Sequence, residues 1–224
     1  MLHAALLLYE DIGGGDVAQA DKAFFIKAYF DDLQGRVNFL PELYAMGRRD
    51  EALMLTCCYV EALGTRRFRH ESKIRNYCRT LGEFGGFEFW RLIHPKQIQA
   101  LIGARPLFTQ ELQGLCAEIQ SSGTELIEPE DLLARLASQT QEAQRDWLRE
   151  NMFRASIAAI SYERIRSELV HDITGPGTLS FSSSTIKSKP VPDLEFHHFF
   201  ASLQSIVSMA SAESAKSNAW WFEQ

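Results

Sequence analysis

An arginine and a histidine stand five residues apart in the run Tyr162-Glu163-Arg164-Ile165-Arg166-Ser167-Glu168-Leu169-Val170-His171-Asp172. A guanidinium is a rigid fork of donors that matches phosphate. An imidazole is the side chain best suited to move protons near neutral pH. Arg166 and His171, with the polar Ser167 beside them, therefore suggest chemistry on a phosphodiester. Nowhere else in the chain does an arginine stand five residues before a histidine. In a regular α-helix that separation is about 140° of rotation, so the two groups converge only if the arginine wraps or a second subunit supplies half the site. Tyr162 lies one turn before Arg166 and is placed to hold its guanidinium plane. A structural alternative stays open: Arg166 pairs with Glu163 or Glu168 on a solvated face, and His171 sits at the negative end of the helix dipole.

These residues need a helical scaffold. Gln141 to Ile173 is the longest helical pattern, with Trp147, Phe153, Ile157, Ile160, Ile165 and Leu169 as its apolar stripe, and Gly175-Pro176-Gly177 as its stop. Gln19 to Tyr44 reads as a helix with Phe24, Ala28, Val37, Leu40 and Leu43 inward and a kink or break at Pro41. Glu51 to Leu63 is apolar around most of its circumference, which suits the centre of a bundle, with Gly64 as its C-cap. Lys73 to Leu81 is a third helix, and the aromatic segment Phe84 to Ile93 is placed to cover one end of the core. Short helices punctuated by Pro95, Pro106, Gly123 and Pro129 follow. Thr178 to Lys187 reads as a short hairpin or loop before a last helix, Asp193 to about Ala215. The expected class is all-α: one domain over residues 1–224, a helical bundle with an insertion at 84–136.

The bundle, the polar motif on a late helix and the apolar early helix Leu53–Gly64 together resemble the HEPN superfamily (higher eukaryotes and prokaryotes nucleotide-binding). The signature of that family is an arginine, a polar residue, a few variable residues and a histidine. Arg166, Ser167 and His171 match it as they stand, although serine is a less usual polar residue there. Glu61 stands where the early helix frequently carries an acid. The resemblance covers about half the chain and leaves Phe84 to Leu136 without a counterpart. It implies a metal-independent endoribonuclease without cofactor: His171 as general acid or base, Arg166 stabilising phosphate charge, Ser167 bonding phosphate or orienting the histidine. It further implies a homodimer sharing one cleft and, in some members, a toxin or defence setting with an inhibitory protein partner. The alternatives are a non-catalytic helical module that binds nucleotide or protein, and a purely structural interaction protein.

Beyond the resemblance, Arg66, Arg67, Arg69, Lys73, Arg75 and Arg79 form a basic run in a chain of net charge −6, a fair phosphate-contacting patch for RNA or otherwise a solvated rim, with His70 and Tyr77 available for stacking. Glu61, in an apolar helix, needs a partner, and could orient Arg166 or His171 or pair with another base. His197-His198 are adjacent and point to different faces, which disfavours a metal site. Gly13-Gly14-Gly15 reads as a hinge or turn, and Trp220-Trp221-Phe222 as a tail docked on the bundle or a second subunit. The four cysteines lack Cys-x-x-Cys spacing, which favours reduced thiols. Ala4 to Leu8 is too short an apolar run for a signal peptide or a membrane span, so the expectation is a soluble, cytoplasmic protein.

Overall fold

The chain builds its core from α-helices laid over one long central helix. The computed structural model describes residues 19–223 apart from 70, 109–111, 122, 124, 172–177 and 182–183. The glycine triplet, the segment Ala4 to Leu8, His70 and the Gly175-Pro176-Gly177 stop lie outside the described residues.

Helix α1 (Gln19–Ala45) passes through Pro41 without ending. Its buried residues are Ile26, Phe30, Leu33, Val37 and Leu40, spaced four, three, four, three. Phe24, expected inward, is 66% exposed, because the true stripe starts two residues later. Helix α2 (Arg49–Arg67) is longer than Glu51 to Leu63. It occupies the centre, with α1, α3 (Lys73–Phe84) and α10 (Phe196–Ser217) all packed on it.

Gly64 does not cap α2 but lies inside it. A Cβ there would stand 2.3 Å from Thr80 Oγ1 and 2.8 Å from the Asn76 carbonyl oxygen, so its absence lets α3 approach closely. Ser72 caps α3 by accepting from the Arg75 backbone N–H. A 3₁₀ turn, Glu88–Arg91, then seats Phe89 and Trp90 in the core, where the Trp90 indole N–H donates to Ser202 Oγ at 2.8 Å.

A second hydrophobic cluster lies apart from the first. It gathers Ile93, Ile98, Ile102, Phe108, Leu115, Ile119, Ile127, Leu132, Leu136, Leu148, Met152 and Ala155. These come from α4 (Pro95–Gly103), α5 (Leu112–Gln120), α6 (Pro129–Leu136), α7 (Glu142–Asn151) and the connections between them. The chain leaves the bundle and re-enters it side by side. His94 N–H donates to the Ala155 carbonyl at 2.8 Å, and Ile157 N–H to the Leu92 carbonyl at 3.0 Å. The separate core thus extends from Ile93 to Ala155, further than the 84–136 read from the sequence, and Phe84–Leu92 belongs to the bundle.

The expected long helix Gln141 to Ile173 is accordingly divided. After α7 comes a 3₁₀ turn, Met152–Ala155, and an extended Ser156 that caps α8 (Ile157–Ser161). Trp147 packs on the second cluster and not with the bundle residues of its supposed stripe. A π-helical turn, Tyr162–Ser167, continues α8 into α9 (Glu168–His171).

The segment before α10 is a two-stranded hairpin, β1 (Thr185–Ile186) with β2 (Lys189–Pro190). Its turn residues Lys187 and Ser188 have φ of 49° and 63°, as a primed hairpin turn requires. Helix α10 starts at Phe196, three residues later than expected, where the Glu195 carboxylate and the His198 ring cap each other's backbone N–H groups. No helix among the described residues is long and apolar enough to cross a membrane.

Candidate functional site

Ile157, Ser161, Ile165 and Leu169 are buried and recur every four residues. A regular α-helix would carry such a stripe about 40° further round at each step. A turn that closes through i→i+5 bonds absorbs the excess, and this is where the π turn sits. It also sets the direction of Arg166, which belongs to it and faces α2.

There Arg166 meets Glu61. Arg166 Nε stands 2.6 Å from Glu61 Oε2, and the two side chains are only 14% and 10% exposed. The contact is an ion pair without a linear hydrogen bond, since neither atom has an aligned partner among the described residues. The Arg166 guanidinium also lies over the Tyr162 ring, 5.2 Å from its centroid. Tyr162 in turn packs edge-on against Tyr77 with centroids 5.2 Å apart. Burial raises the Tyr162 phenol and the Glu61 charge adds to that, while Arg166 opposes it. Beneath them Tyr77 O–H donates to Cys57 Sγ at 3.6 Å. Burial pushes the Cys57 thiol up to about 12, so it stays neutral and is no nucleophile near pH 7.

Glu61, Tyr162 and Arg166 are therefore brought together. The solvated pairing of Arg166 with Glu163 or Glu168 does not form; Glu168 faces Arg164 instead, at 3.6 Å. Ser167 follows Arg166 on the π turn and is half-buried. His171 ends α9, and its side chain lies outside the described residues. A guanidinium fixed through Nε by a buried carboxylate is oriented before any ligand arrives, which is what charge stabilisation at a phosphate requires.

The basic run divides between two places. Arg66 and Arg69 lie 5.8 and 5.3 Å from the Phe222 ring centroid, and Arg67 lies 5.6 Å from that of Trp221 and donates to its carbonyl at 2.5 Å. These arginines hold the C-terminal tail onto the bundle. Trp220 and Trp221 are buried, and Lys22 pairs with Glu223 at 2.9 Å. Lys73 is exposed at the start of α3.

Arg75 and Arg79 instead line a cleft of about 530 Å³ between α3 and the second cluster. Arg79 is held by Glu71 at 2.6 Å and Glu83 at 3.0 Å and lies 3.8 Å over Phe68. Arg75 crosses the cleft to the Glu150 carbonyl and lies 4.9 Å from the Phe153 ring centroid. Arg91 and Arg149 also line it, and Trp90, Leu133, Met152 and Phe153 are among its apolar lining. Sequence reasoning missed this second group because its residues are scattered from Glu71 to Ser156, with no local spacing that unites them.

Two histidine settings complete the inventory. His94 Nε2 lies 3.3 Å from Ser184 Oγ, and burial together with Lys96 lowers its pKa. The rings of His197 and His198 are in contact, with centroids 3.8 Å apart, yet no group of three His, Cys, Asp or Glu placed to hold a metal occurs among the described residues. No family model matches the chain, and neither a curated protein nor a solved structure matches it.

Proposed function

We propose that the protein is a metal-independent endoribonuclease of the HEPN type, acting on RNA phosphodiester bonds through Arg166, Ser167 and His171. The observation that supports this is the buried Glu61–Arg166 pair with Tyr162 beneath the guanidinium. In this reading His171 takes the proton of the ribose 2′-hydroxyl or returns one to the leaving 5′-oxygen. The 2′-oxygen forms a bond to phosphorus as the bond to the 5′-oxygen breaks, leaving a cyclic phosphate. Arg166 carries the charge that builds on the phosphate oxygens, and Glu61 and Tyr162 hold it in place. Two copies would share one cleft about a two-fold axis, which would resolve the angular separation of Arg166 and His171. A cytoplasmic toxin or defence role, held in check by an inhibitory protein, belongs to this reading.

The test is cleavage of single-stranded RNA with EDTA present. His171→Ala and Arg166→Ala are each expected to lower the rate by roughly 100-fold or more with the fold intact by circular dichroism. Undiminished cleavage in His171→Ala rejects the assignment. A second reading, a non-catalytic helical module that binds nucleotide or protein, is favoured by how little of Arg166 reaches solvent. It predicts thermal stabilisation by ligand without turnover.

A further inference from the structure

Of the arginines lining the cleft between α3 and the second cluster, three already face carboxylates: Arg79 faces Glu71 and Glu83, Arg91 faces Glu128, and Arg149 faces Asp146. Arg75 has no carboxylate within ion-pair distance among the described residues. Its guanidinium lies over Phe153 and is tied to the Glu150 carbonyl, so it is a preorganised cation that lacks a counter-charge among the described residues. On the same wall, just before the N-cap of α3 and four residues from Arg75, the reverse holds for Glu71. Its Oε1 takes Arg79, but its Oε2 is buried and accepts no hydrogen bond among the described residues. An unused buried acceptor is costly until a donor reaches it.

Elsewhere the lining is largely apolar, with Leu133, Met152 and Phe153 among the residues that bound the space. About 530 Å³ is within the range of small-molecule sites. Burial pushes the Cys78 thiol in its wall up to about 12, so no thiolate is available there near pH 7. A purely anionic ligand would meet Glu71, Glu83 and Glu130, and a cation would meet the arginines. The lining suits a molecule that carries an anionic group and a hydrogen-bond donor close together and an apolar, ring-bearing part beside them.

We propose that this cleft binds a phosphate ester of a hydroxylated, ring-bearing molecule, the class to which nucleoside monophosphates belong. Arg75 takes the phosphate, Leu133 and Met152 take the ring, and Glu71 Oε2 accepts from a hydroxyl or amine. The site is distinct from that of Arg166, since none of Arg166, Glu61 and Tyr162 lines it. It does not depend on the RNA-cleavage reading.

The probes are AMP, UMP, ribose 5-phosphate, adenosine and inorganic phosphate, followed by thermal shift and calorimetry on the full chain. At millimolar concentration AMP or UMP is expected to raise Tm by roughly 2–5 °C. Ribose 5-phosphate, which keeps the phosphate and hydroxyls but lacks the base, is expected to bind more weakly than AMP. Adenosine and inorganic phosphate are expected to bind at least about tenfold more weakly than AMP, roughly the effect of losing one charge-assisted contact. Arg75→Ala should weaken AMP by at least the same factor. Should that variant fail to fold, Leu133→Trp, which fills the cleft, is expected to abolish binding, and Arg166→Ala is expected to leave it unchanged. The proposal is overturned by no shift with either nucleotide, by adenosine or phosphate binding as tightly as AMP, by ribose 5-phosphate binding as tightly as AMP, or by binding that survives Leu133→Trp or is lost with Arg166→Ala.

Discussion

Arg166 and Arg75 are both pinned against an aromatic ring, yet their electrostatic settings are opposite. Arg166 sits in the main core beside a buried carboxylate, its charge compensated within the protein. Arg75 bridges two separately packed cores, compensated among the described residues by a carbonyl dipole and a ring face. The first setting costs desolvation of two charges and fixes geometry. The second keeps a cation available at the edge of an open cleft. Two arginines from one sequence thus support different readings, an oriented catalytic group and a ligand anchor.

The contrast breaks most easily at Glu61. Glu61→Ala leaves the Arg166 guanidinium buried without its carboxylate, and urea unfolding is expected to show a loss of about 3–5 kcal/mol. A loss below about 1 kcal/mol means that the pair is effectively solvated, and the contrast with Arg75 disappears. Gly64→Ala tests the close α2–α3 approach that seats Glu61. With the added carbon 2.3 Å from Thr80 Oγ1, a cost of about 1–3 kcal/mol is expected from the same measurement, whereas a neutral result removes the need for glycine there. Arg75→Ala is expected to cost only about 1 kcal/mol, one hydrogen bond and one ring contact, because no carboxylate is stranded. A cost equal to that of Glu61→Ala makes Arg75 a structural strut.

The smallest effect concerns pH. His94 is lowered by burial and then by Lys96; His198 is lowered by burial and then by His197. The unfolded chain therefore takes up these protons first. Their contribution is complete above the ordinary histidine pKa of about 6.5 and is lost as pH falls through it toward the folded values. Protonation at His198 Nδ1 also removes the acceptor for the Glu195 N–H at 3.2 Å. Tm is expected to drop between about pH 7 and pH 5, and His94→Gln with His198→Gln to flatten that drop. An unchanged slope assigns it to other groups.

How much was legible varies by element. The all-α class, the central helix and the ring beside Arg166 follow from local patterns: a tyrosine one turn before an arginine can reach it, and a carboxylate in an apolar helix needs a counter-charge. Which base supplies that charge was not legible, since Glu61 and Arg166 are joined by no local spacing. The run of basic residues was legible as a cluster along the chain. Its division between the tail and the cleft was not, since Arg67 and Trp221, or Arg75 and Glu150, are joined by no sequence spacing.

By itself the sequence determined helical periodicity and the identity of groups that could not be buried alone, because these act over a few residues of backbone. Only the tertiary structure decided that Gly64 is a crossing point rather than a helix end, that a stripe of every fourth residue is met by a π turn, and that Ile93 to Ala155 packs as its own core. Those outcomes depend on which surfaces meet, and close packing between distant segments leaves no mark in the local order of residues.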